Sequence, residues 1–181
     1  GEQDWESKIR EGTNVAFENG RVQPRRALPD SPLLHDFEVV ATNNSHDYEW
    51  FDNRFEAQTR KSSWSDGRVR IGTTEEFDLT NVDSIVWDHE FEVPDGGIGL
   101  WLGILDDLQE GNHNPDWPDD DAYVDYWDRT SDLSRTNDEL DVADREGEWY
   151  LSVLFRSHGN ATGTTSSSNW IYFTLYDVLF G

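Results

Sequence analysis

The chain has 181 residues, with 38 Asp and Glu against 14 Lys and Arg, a formal charge of −24, nine Trp, nine Phe and no Cys. That charge repels free nucleic acid and disfavours an anionic membrane surface, no apolar run approaches the ~18 residues that span a bilayer, and disulfides and thiolate metal sites are excluded. The length suits one domain with a sizeable core, and the aromatic content argues for a folded β protein rather than a disordered acidic tail. The acids are dispersed through the chain and only Lys8 and Lys61 are lysines, a balance that resembles proteins working in concentrated salt, where ions screen self-repulsion.

Residues 1–32 read as an N-terminal arm and connector, and 33–181 as a single β-sandwich domain. In the arm, Trp5, Ile9, Val15 and Phe17 suit a short strand or a packing segment, and the basic run Arg21 to Arg26 suits local charge compensation between prolines. Leu33 to Thr42 predicts a strand and Asn43 to Asp47 a turn. Tyr48 to Thr59 predicts one strand, straight or bent at Asp52-Asn53. Arg68 to Gly72 predicts another after the turn residues Ser65-Asp66-Gly67.

Asp78 to Leu105 is the best-patterned stretch. Ile85, Trp87, Phe91 and Val93 share one parity with His89 among them, while Val86, Asp88, Glu90 and Glu92 share the other. That is a strand with a dry and a wet face, and His89 on the dry side suits a hydrogen-bonded core residue. Pro94 to Gly97 has turn chemistry, and Ile98, Leu100, Leu102 and Ile104 then alternate with Gly99, Trp101 and Gly103. The pair is expected to form a hairpin. Its greasy face demands a second layer.

Leu105 to Tyr123 is the longest irregular stretch, and loops of that length are functional or mobile. Its Asp116, Asp119, Asp120 and Asp121 are candidate oxygen ligands for Ca²⁺, although the spacing is not that of an EF-hand. Trp101, set between glycines, is a flat platform for a sugar ring or a partner surface, and Trp117, Tyr123 and Trp127 could extend it as an aromatic binding patch. The plainer alternatives are a solvated acidic face and packing under the loop.

Ala122 to Thr130 predicts a strand, Leu140 to Val142 a short edge, and Gly147 to Arg156 a strand with Trp149, Leu151, Val153 and Phe155 inward. Ser157 to Asn169 reads as a polar tip. Trp170 to Phe180 is apolar on both parities, which suits a central strand or one covered by a neighbour. Asp78 to Phe91 and Leu140 to Phe155 echo one another, each a short edge, a polar turn and a long alternating strand. Asn43 and Asn160 head N-x-S/T triplets, candidate glycosylation positions. Glu139, Asp141 and Asp144 offer a weak carboxylate motif of the kind hydrolases use. No metal-binding His spacing, nucleophile elbow or P-loop is present, and no catalytic residue is assigned. Strands at roughly ten-residue spacing without a useful helix predict an all-β, two-sheet antiparallel jelly-roll β-sandwich.

Asp78, Leu79, Thr80, Trp87, Gly97, Gly99, Leu140, Asp141, Gly147, Tyr150, Leu151 and Arg156 carry a pattern that resembles jelly-roll modules of phage tail, fibre and baseplate proteins, over roughly residues 68–180. Similar folds occur in carbohydrate-binding modules. With the saline charge balance, the resemblance implies a non-enzymatic structural or adhesion component of a virion, extracellular and in high salt, assembling with other virion proteins or copies of itself. The alternative is a lectin-like module recognising host surface glycans through Trp101, Trp117 and Tyr123. No cofactor is implied other than Ca²⁺, and neither nucleic acid nor membrane insertion is expected.

Overall fold

The computed structural model describes residues 15–18, 21–24, 28–61, 66–94, 96–158 and 170–181, the first two segments by backbone alone. Thirteen strands and one 3-10 turn are found among them. Strands β1 (Val15–Glu18) and β2 (Arg21–Pro24) make a separate two-stranded sheet. The rest form two antiparallel layers. The six-stranded sheet runs β10 (Tyr123–Arg129), β9 (Gly97–Leu105), β12 (Glu148–His158), β6 (Arg68–Thr73) and β3 (Phe37–Asn43), with β7 (Phe77–Asp78) on the end of β12. The five-stranded sheet runs β11 (Leu133–Asp141), β8 (Ser84–Glu92), β13 (Ile171–Phe180), β5 (Arg54–Thr59) and β4 (His46–Phe51). This is the expected all-β sandwich.

The core lies between the layers and follows from the alternation. Ile98, Leu100, Leu102 and Ile104 of β9, Leu151, Val153 and Phe155 of β12, and Val69 and Ile71 of β6 meet Ile85, Trp87 and Phe91 of β8, Phe173, Leu175 and Val178 of β13, and Phe55 and Ala57 of β5. Each large side chain of this set contributes about 1.5–3 kcal/mol by leaving water. Trp87 is completely buried.

Four expectations need correction. β8 and β9 are not a hairpin: β8 pairs with β11 and β13, and β9 with β10 and β12. The Pro94–Gly97 connection carries the chain from one sheet to the other, so the two dry faces oppose each other across the core. Alternation shows which face is dry but not whether neighbours pair or stack. Tyr48 to Thr59 is neither a straight nor a bent strand; it folds back at Asp52-Asn53 so that β4 and β5 pair antiparallel. Leu34–Asp36 is a 3-10 turn, with the strand starting at Phe37. The edge at Leu140 is the end of a nine-residue strand, β11, whose sequence is polar because it pairs on one side only. The echoed segments do meet as corners: Leu79 N donates to Gly147 O at 2.9 Å and Val142 N to Asp83 O at 2.9 Å. The final strand is central, between β8 and β5.

One polar cluster lies at the core's edge. His89 is fully buried with Nε2 2.7 Å from Asp138 Oδ2, and Tyr126 Oη donates to the same oxygen at 2.5 Å. His89 is thus a hydrogen-bonded core residue. Burial pushes its pKa down, against the opposing pull of Asp138.

Candidate functional site

Two outer sheet faces have to be weighed. On the six-stranded sheet, register puts Asp125, Trp101, Leu154 and Arg70 in one row across β10, β9, β12 and β6. Arg156 lies between Gly99 and Arg68 in the next row. The four aromatics expected to bind come together here as two pairs. Trp101 and Trp127 have ring centroids 5.4 Å apart, and Trp117 and Tyr123 5.1 Å. The flanking glycines are explained by this packing. A Cβ on Gly103 would meet Trp117 at 2.9 Å and Ala122 O at 2.3 Å, and one on Gly99 would meet Arg156 Cγ at 2.9 Å and the Trp101 ring at 3.1 Å. The glycines let indole rings lie flat on the strand. Trp117 therefore covers the sheet, whereas Trp127 is 49% exposed.

The 106–122 loop is held over this face by an unforeseen residue. Arg70 is fully buried, and its guanidinium donates to Asn112 O at 2.7 Å, Gln109 O at 2.7 Å, Leu108 O at 2.9 Å and Ser152 Oγ at 3.3 Å. No carboxylate takes part, and burial pushes its pKa down to about 10. An Arg at an outward strand position was the available signal, since five donors on a planar fork can gather several carbonyls.

Of the acidic loop residues, Asp119 accepts two bonds from Arg145, each 2.8 Å, which hold its carboxyl below the usual range. Asp116, Asp120 and Asp121 are exposed, and among the described residues no three His, Asp or Glu side chains converge as a ligand set. Asn43 ends β3, and Asn160 lies outside the described residues. Glu139 and Asp141 are exposed on edge strand β11 and line neither groove described below.

The outer face of the five-stranded sheet holds a groove of about 420 Å³ across β4, β5, β13 and β8. Tyr172, 40% exposed, stands between Gln58 and Glu92 in register, with Asp47 beyond Gln58. Thr174 stands between Glu56 and Glu90, with Glu49 beyond Glu56. One end is braced: Tyr176 Oη donates to Glu90, and the Arg135 guanidinium lies 3.8 Å from the Tyr176 ring while bonding Asp88 at 2.8 and 3.0 Å. Arg54 holds Glu56 at 3.0 Å. The side chains of Glu49, Gln58, Glu92, Tyr172 and Thr174 make no hydrogen bond among the described residues. The sequence alone does not reveal this set, because Tyr172 and Tyr176 also suit a second greasy face. The signal was there: aromatics and Thr on β13 share an outward parity with the acids of β8.

A second cavity, about 820 Å³, opens between edge strands β3 and β4 and is lined by Leu33, Leu34, Phe37, Trp50 and Phe51 among others. No described helix is long and apolar enough to cross a membrane.

No family model matches the chain, and no curated protein matches it. Several solved structures are similar to this chain over most of its length. A low-affinity xylan-binding module of family 86 from Roseburia intestinalis is 11% identical, covering 81% of this chain and 89% of that one, with a TM-score of 0.48. A family 61 carbohydrate-binding module solved with β-1,4-galactotriose is 10% identical over 80% and 88%, TM-score 0.46. The carbohydrate recognition domain of Emp47p is 12% identical over 84% and 93%, TM-score 0.44. At these identities the likeness is one of fold alone. Nothing in the fold or in these likenesses points to a phage tail, fibre or baseplate.

Proposed function

We propose that this chain is a non-catalytic glycan-binding module whose binding surface is the Tyr172 groove. The carrying observation is the groove itself. Its volume falls in the usual range of ligand sites, roughly 300–1,000 Å³, yet its walls are polar. Glu49, Glu92, Gln58 and Thr174 offer acceptors and donors with no hydrogen-bond partner among the described residues, around a half-exposed ring. A polyhydroxylated ligand is the natural complement. Its hydroxyls donate to carboxylates in charge-assisted bonds, and the apolar face of a pyranose stacks on an aromatic ring. The groove's carboxylates repel an anionic chain, so the ligand is a neutral or amino sugar polymer.

The virion reading rests on the jelly-roll resemblance and the charge balance, with the final strand as one place to meet a neighbour. β13 is central, and its outward side chains line the groove instead. The charge of −24 suits a saline setting for the same module.

The test is calorimetric titration of the intact chain against a panel of neutral oligosaccharides. Tyr172→Ala is expected to weaken binding at least tenfold, about 1.4 kcal/mol, with Glu92→Gln weakening it less. Binding that survives Tyr172→Ala unchanged, or no binding across the panel, would sink the proposal.

A further inference from the structure

The opposite face carries the reverse electrostatics. Arg68 on β6 and Arg156 on β12 sit directly opposite one another in register. Like charges so placed repel, and a protein with only 14 basic residues has put three of them, Arg68, Arg70 and Arg156, on this one face. Arg70 is consumed by the loop carbonyls. Arg156 is tied to Asp66, both about 14% exposed, and its guanidinium lies 5.0 Å from the Trp127 ring. Arg68 has no hydrogen bond or ion pair among the described residues. The Nε atoms of Arg68 and Arg156 are both buried without an acceptor. Burial and then the Arg156 charge lower the pKa of Arg68, only partly offset by Asp66. Among the described residues, Asp66 is thus the carboxylate shown against both guanidiniums.

On this face stands Trp127, 49% exposed and steadied by the Trp101 ring at 5.4 Å and by Arg156. An exposed indole on one side of Arg156 and the Arg68 guanidinium on its other side in register suit an extended saccharide that bears an oxyanion. Trp127 stacks the ring face, and the Arg68 fork donates to the oxyanion. We infer that the Arg68–Arg156–Trp127 surface is a second saccharide site, selective for an acidic sugar carrying a carboxylate or a sulfate ester. It is separate from the Tyr172 groove, on the other sheet, and its existence does not depend on that groove binding anything.

The test titrates the intact chain at ~1 M salt, where long-range repulsion is screened over about 3 Å. The probes are an oligouronate, a sulfated oligosaccharide of the same length, the neutral counterpart and inorganic sulfate. Tryptophan fluorescence and amide chemical shifts are the readouts. The inference expects at least one acidic oligosaccharide to bind and to shift the amides of β6, β12 and β10. The carboxylate and sulfate arms identify which oxyanion is preferred. Arg68→Gln should weaken that binding at least tenfold, Arg68→Lys should restore part of it, and Trp127→Ala should also weaken it. Tyr172→Ala should leave it unchanged, and Arg68→Gln should leave neutral-sugar binding in the groove unchanged. The Arg68 side chain makes no hydrogen bond or ion pair among the described residues, so its replacement is not expected to unfold the chain. The inference is overturned by acidic oligosaccharides that do not bind, by binding indifferent to Arg68→Gln, or by inorganic sulfate matching the oligosaccharide, which would show an anion hole rather than a sugar site.

Discussion

At the scale of single residues, His89 and Arg70 show how polar groups are admitted to a dry interior. His89 keeps its proton on Nε2 toward Asp138, leaving Nδ1 buried without a partner. Burial lowers its pKa in the fold, while an unfolded histidine titrates near 6.5. The sign follows. Above about pH 6.5 both states are neutral there and the stabilisation is complete. As pH falls below that value the unfolded chain gains a proton that the folded chain refuses, and stability is lost until the lowered native pKa is reached, at up to ~1.4 kcal/mol per pH unit. Melting temperatures between about pH 7.5 and 5.5 should therefore fall with acidity, and His89→Gln should flatten the slope. The slope should not vanish, because burial, Arg68 and Arg70 also hold His113 below its ordinary range. An unchanged slope in the variant would show that His89 does not titrate as described. None of this pairing was legible in the sequence. Dry parity placed His89 in the core, but its partner Asp138 comes from an edge strand 49 positions away.

At the scale of elements, the loop spanning 106–122 behaves as an added layer over β9, β12 and β6. Arg70 draws three of its backbone carbonyls to one guanidinium, and Gln109 bridges Asn112 and Asp116 with its amide. Hydrogen bonds to a charged donor are worth about 1.5–3 kcal/mol each when a buried partner would be stranded. Arg70→Met should free the loop, raising hydrogen exchange across residues 106–122 and lowering stability by roughly 3 kcal/mol; Arg70→Lys should rescue only part, lacking the fork. Exchange rates in the loop that match wild type would refute the clamp. The elements themselves were readable wherever alternation was strict, as in β8, β9 and β12. Pairing was not readable. Pro94 to Gly97 has hairpin chemistry yet joins two sheets, because β8 is flanked by β11 and β13, and β9 by β10 and β12. Only the Leu140 end of β11 is legible, because the rest of this edge strand is polar and has no period to detect. The groove was overlooked for a related reason: Tyr172, Thr174 and Tyr176 carry outward polar tips on rings and methyls that also suit packing.

At the scale of the whole molecule, charge dominates. The groove alone gathers Asp47, Glu49, Glu56, Glu90 and Glu92, and Glu49 faces Glu56 directly across β4 and β5. With a net −24, raising potassium chloride from about 0.1 M to about 2 M should raise the melting temperature by several degrees, as screening shortens from ~10 Å to below 3 Å. A melting temperature flat across that range would remove the reason for placing the protein in brine while leaving the sandwich intact. The fold class followed from composition and spacing, since greasy alternation without helices leaves few alternatives to stacked sheets. The charge also followed, but which face it spares did not, because register sets Arg68 opposite Arg156.

The place of β13 has a consequence for how the molecule is made. It fills the gap between β8 and β5, yet it is the last of the sandwich strands along the chain. Until it emerges from the ribosome, the five-stranded layer is split into two ribbons and Trp87 and Phe55 have no lid. Closure is therefore late and largely concerted, as expected where partners lie far apart in sequence. During that wait, mutual repulsion among dozens of carboxylates is what keeps unfinished chains from sticking to one another.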